Sequence, residues 1–208
     1  MVNNKNNKNN KKREFSLKEK ILKYLIENKE RPKTIREISG ALIVDYKNTF
    51  QSINTLSDLI YKEKIGNNNL VEINLKPNQE IYSVENKRTK EFLDKNKSLK
   101  LIQNDIININ YPFFIVLIFG SYAKKENIKN SDIDICIISD NQEKTKELIS
   151  KLEILSLPLE IQEFTIKEFE SMFDKKENNL AKEIIKNNII LFGIENYYNL
   201  ISKWTKKE

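Results

Sequence analysis

Asp132 and Asp134 stand two residues apart at the start of an apolar run, Ser131-Asp132-Ile133-Asp134-Ile135-Cys136-Ile137-Ile138. Residues two apart on a strand share a face. The pattern therefore predicts both carboxylates on one side, with Ile133, Ile135 and Ile137 turned into a core. Two like charges held together repel, and taking them out of water is costly without a counter-charge. A divalent cation is the natural compensation, and two carboxylates can share a pair of ions about 3.5–4 Å apart. Upstream, Phe113-Phe114-Ile115-Val116-Leu117-Ile118-Phe119 reads as a strand buried on both faces, and it ends at Gly120-Ser121. A glycine at that boundary lets the backbone approach a ligand closely. Ser121 falls where a following helix should begin, with its hydroxyl and the adjacent N–H groups placed to face an anion.

Composition narrows the chemistry. The chain has no histidine, which excludes Ser-His-Asp and Cys-His nucleophiles and His-ligated zinc or haem. One cysteine, Cys136, excludes an intramolecular disulfide and a Cys-cluster metal site. Any metal must sit on oxygen, which selects Mg²⁺, Mn²⁺ or Ca²⁺. Such a chain suits a reducing cytoplasm. No apolar run approaches the roughly 20 residues of a membrane span, and the N-terminus has no signal-peptide core, so no membrane contact is expected.

The elements that must position these residues occupy a chain of 208 residues, enough for one large or two small domains. Charge divides it. Residues 1–98 hold 21 basic and 13 acidic side chains, whereas residues 99–208 hold 15 and 17. The first half is therefore the candidate for a polyanionic partner. Residues 1–14, nearly all Asn and Lys at the start, read as a disordered basic tail. Ser16 with Glu19, and Thr34 with Glu37, form capping boxes that open two helices. Asp45 caps a third, with Phe50, Ile53, Leu56, Leu59 and Ile60 on one stripe. A hairpin is expected from Leu70–Leu75 and Ile81–Val84, across the break at Lys76-Pro77-Asn78-Gln79. Residues 86–110 read as a lysine-rich connecting helix and 111–208 as a second domain.

Three short helices and a hairpin over residues 15–85 resemble a winged helix-turn-helix. The resemblance implies binding of double-stranded DNA, with the third helix in the major groove and the wing on the backbone. Lys47, Asn48, Gln51 and Ser52 are the candidates on the helix, beside Tyr46, and Lys76 and Asn78 on the wing.

Gly120-Ser121-Tyr122-Ala123 through Ser131-Asp132-Ile133-Asp134-Ile135 resembles the signature of the DNA-polymerase-beta-type nucleotidyltransferase superfamily, in its minimal (MNT-like) branch. The resemblance covers roughly residues 99–194. It implies an α+β architecture, a small mixed sheet flanked by helices. It further implies that Gly120 and Ser121 hold a nucleoside triphosphate, with ATP or another NTP as substrate. Asp132 and Asp134 would bind two Mg²⁺ (or Mn²⁺) ions. A third carboxylate comes from a neighbouring strand; Glu160 in Pro158-Leu159-Glu160-Ile161 is the first choice and Glu163 the second. Lys124 and Lys125 can help neutralise phosphates, although Lys125 stands where family members often carry glycine. The implied reaction is transfer of a nucleotide, AMP in several members, to a hydroxyl; in some members the acceptor is a tyrosine of a HEPN-type toxin. A nucleotide-sensing transcriptional regulator without turnover and a nucleic-acid-modifying enzyme are the alternatives.

Overall fold

The computed structural model describes residues 15–66, 68–128, 131–173 and 179–203; the expected tail 1–14 lies outside them. Helices α1 (Leu17–Glu27), α2 (Ile35–Leu42) and α3 (Tyr46–Asn54) start at Ser16, Thr34 and Asp45, with both capping boxes formed. A three-stranded antiparallel sheet completes this unit: β1 (Lys33–Thr34), β3 (Asn68–Ile73) and β2 (Ile60–Ile65), in that order.

The hairpin differs from the sequence expectation. It pairs β2 with β3 around Gly66, which adopts a left-handed φ of 59°. The third helix stops at Asn54, so Leu56 and Leu59 fill the core from a turn and Ile60 from a strand. Residues 81–84 belong to α4 (Gln79–Lys95), capped by Asn78. The reason lies in period. Ile81, Tyr82, Val84, Glu85, Arg88 and Thr89 are all buried, a helical stripe that outweighs the local β preference of Ile81-Tyr82-Ser83-Val84. The connecting segment is thus two helices, α4 and α5 (Lys100–Asn108), joined by a single 3₁₀ turn.

The second sheet runs β6-β5-β4-β7, with β4 (Ile115–Ile118), β5 (Ile133–Ile138), β6 (Leu159–Phe164) and β7 (Ile189–Phe192). β4 is antiparallel to β5 and β7, and β5 is parallel to β6. The parallel pair needs a crossover, supplied by α7 (Gln142–Glu153). Val116, Ile118, Ile133, Ile135 and Ile137 pack on one face against Leu93, Ile102, Ile106, Leu148 and Leu152. On the other face Leu117, Cys136 and Ile138 share a core with Ile21, Ile38 and Ile53 of the helical unit. The chain closes with α8 (Ile166–Ser171), α9 (Leu180–Lys186) and α10 (Ile194–Ile201). Among the described residues, no helix is long and apolar enough to cross a membrane.

Candidate active site

Strand directions bring the motif residues together. Because β4 and β5 are antiparallel, the end of β4 meets the start of β5. The Phe119 N–H donates to the Asp134 carbonyl at 3.0 Å, extending that ladder to the Gly-Ser boundary. Because β5 and β6 are parallel, β6 starts at the same end, and Asp134 faces Glu160 on one rung. Partners on a parallel ladder share a face. Glu160 therefore lies on the side of Asp134. Glu163 pairs with Ile137, on the opposite side.

Gly120 sits against this cluster with φ +62°, in the left-handed region, where a Cβ would collide with Asp134 Oδ2. It opens the short helix α6 (Gly120–Lys124), which carries half-buried Ser121 on its first turn. Lys125 ends α6 in a left-handed conformation, φ 62° and ψ 30°. That geometry accounts for the glycine preferred there by the family this loop resembles. Glu126 N–H donates to the Ser121 carbonyl at 2.9 Å and closes the turn. Ser131 Oγ accepts from the Ile128 N–H at 2.9 Å, which fixes the approach to Asp132.

The electrostatics is compensated only in part, by Lys124. Burial, then Glu160 and Asp132, push the Asp134 carboxyl above its usual range, with Glu183 adding to the effect. Glu183, on α9, is a member of this neighbourhood that the motif did not reveal. It reads in sequence as one more exposed helical glutamate. In the fold it pairs with Lys124 at 2.8 Å and holds that lysine above its usual range. A set of carboxylate oxygens with excess negative potential fits a hard divalent cation. Among the described residues the side chains do not close into a ready-made metal cage.

The DNA candidates lie elsewhere. Lys47, Asn48 and Gln51 are exposed and Ser52 half-buried on α3. Lys76 is exposed, but in the loop between β3 and α4, and Asn78 is spent as the α4 cap. The basic residues of the actual hairpin are Lys62 and Lys64, both exposed on β2. Their alternation with Glu63 hid them as an ordinary solvated stretch.

Residues 89–197 match the family described as Polymerase beta, Nucleotidyltransferase. The chain belongs to the polymerase-beta nucleotidyltransferase family. Its match begins inside α4 and covers the whole β6-β5-β4-β7 sheet. A protein of Methanocaldococcus jannaschii bearing the name "Putative protein adenylyltransferase MJ1547" is 33% identical over 100 residues, 46% of this chain and 72% of the relative. No solved structure matches. Within this nucleotidyltransferase, the α+β fold and the mixed sheet agree with the expectation from sequence.

Proposed function

We propose that this nucleotidyltransferase transfers a nucleotide, AMP from ATP, to a hydroxyl of a protein, releasing pyrophosphate. The observation that carries the reading is the rung joining Asp134 to Glu160, with the Gly120 backbone packed on Asp134. Support for adenylyl transfer and a protein acceptor comes from the name of the archaeal relative. Asp132, Asp134 and Glu160 would hold two Mg²⁺ ions, which neutralise triphosphate charge and favour the oxyanion form of the acceptor. Gly120 leaves room for the Asp134 carboxylate beside the backbone, and Ser121 would donate to a phosphate oxygen. Lys124, restrained by Glu183, places a positive charge beside the leaving pyrophosphate. Glu160 would take the acceptor proton. The protein thus contributes alignment and charge more than covalent chemistry.

The α1–α3 unit with its hairpin supports a second role as a winged helix that binds double-stranded DNA. Lys47, Asn48 and Gln51 would face base edges, and Lys62 and Lys64 the phosphates. Together the two activities suit an antitoxin-like protein that modifies a HEPN-type toxin and regulates its own operon.

The test is Mg²⁺-dependent pyrophosphate release from ATP in the presence of cell extract. Asp132→Asn, Asp134→Asn and Glu160→Gln should each abolish it, and Glu163→Gln should leave it within about twofold of the parent. Loss in Glu163→Gln with activity retained in Glu160→Gln would reverse the assignment.

A further inference from the structure

A polar cavity of about 190 Å³ lies where α1 and α4 meet the far end of α6. Arg88, Lys124, Lys125 and Lys186 line it, together with Glu27 and Asn188. Its charge does not balance. Arg88 is paired with buried Glu85, Lys124 with Glu183, and Lys125 with Glu27 at 3.2 Å. Glu27 is shared, standing 3.6 Å from Arg88 Nε. Lys186 has no ion-pair partner among the described residues. By ion pairs, the four lining cations thus meet three carboxylates, which leaves Lys186 unmatched.

Two of the residues lining the cavity, Arg88 and Asn188, are themselves 6% and 2% exposed. Arg88 Nε is a buried donor without a hydrogen-bond partner, which an anion can satisfy, whereas the unpartnered Asn188 Oδ1 is an acceptor and calls for a donor. Buried polar atoms are rarely left so, and each one needs an explanation. The volume is below the roughly 300–1,000 Å³ of sites for drug-sized ligands. It suits a compact anion rather than a whole nucleotide. Lysine and arginine together select phosphate.

We propose that this cavity, which adjoins the Gly-Ser and Asp-x-Asp site through Lys124, is a binding site for a small phosphate-bearing anion. Its occupant would draw Lys125 and Arg88 away from Glu27, and so connect phosphate level to the loop that carries Ser121. The group can come from free phosphate or from pyrophosphate.

The experiment titrates the full chain with inorganic phosphate, and separately with pyrophosphate, by calorimetry in EDTA, so that metal-dependent nucleotide binding is silent. Saturable binding is expected for the parent and for Asp134→Asn. Lys186→Gln should weaken it at least tenfold, and Lys186→Arg should restore it, which separates lost charge from lost folding. Preference between the two probes names the source. No saturable binding of either would overturn the proposal. So would binding that survives Lys186→Gln unchanged, and binding lost in Ser121→Ala but kept in Lys186→Gln would place the anion at the Gly-Ser loop instead.

Discussion

Gly120→Ala adds one carbon, and that carbon lands on the Asp134 carboxylate while the backbone stays left-handed. The conformation alone costs about 1–2 kcal/mol for a residue with a side chain. The clash must also push Asp134 out of place. Transfer activity should fall at least a hundredfold with only a modest loss of melting temperature; near-parent activity would detach Gly120 from the site. Asp134 itself has a pH signature. Its carboxyl lies above the usual 3.8 because of burial and its acidic neighbours. Between the usual and the raised value the unfolded chain binds fewer protons than the folded one, so stability falls as pH rises through that window. Asp134→Asn removes this penalty. In metal-free buffer the variant should be more stable than the parent at pH 7 and equal to it near pH 3. Added Mg²⁺ should raise the melting temperature of the parent alone. A variant less stable at pH 7 would show that Asp134 has a structural partner.

At the scale of elements, period and turn chemistry decided what could be read in advance. The capping boxes at Ser16 and Thr34 and the strand at residues 133–138 were legible because each is a local pattern with a local cause. The meeting of Gly120, Asp134 and Glu160 follows once β4 is antiparallel and β6 parallel to β5. The start of α4 was not legible. Ile81-Tyr82-Ser83-Val84 has β-prone residues, and only burial of Glu85, Arg88 and Thr89 against distant strands makes the helix the better solution. Glu183 and the hairpin lysines were hidden for a similar reason: their roles depend on what packs beside them. The hairpin yields a prediction. Lys47→Ala and Lys62→Ala, in the full chain, should each weaken duplex binding by a similar factor on any sequence. Each should lower the magnitude of the salt slope by about one. Mobility shifts at graded salt measure both, and unchanged slopes would leave the α1–α3 unit as a protein-docking module.

Across the whole molecule the helical unit and the catalytic sheet are not beads on a string. Ile21, Ile38 and Ile53 lie in one apolar cluster with Leu117, Cys136 and Tyr197. A buried polar network crosses the same boundary: Glu85 binds Arg88 and accepts from the Tyr198 hydroxyl at 2.8 Å, and Arg88 donates to the Asn188 carbonyl at 3.2 Å. Removing one member of a buried charge pair costs about 3–5 kcal/mol. Glu85→Ala should lose that much in urea denaturation, and Tyr198→Phe about 1.5–3 kcal/mol, the value of a hydrogen bond to a charged group. Parent and variants should unfold in one transition monitored by fluorescence and by circular dichroism; two separated transitions would mean independent domains. The central claim is that this assembled site moves a nucleotide, and the position of a label decides it. The full chain is incubated with Mg²⁺, cell extract and ATP labelled at the α-phosphate or, in parallel, at the γ-phosphate. The α-label should enter a protein band, the γ-label should leave as pyrophosphate, and Asp132→Asn and Asp134→Asn should abolish both. Incorporation of the γ-label, or α-labelling that persists in both aspartate variants, would contradict it.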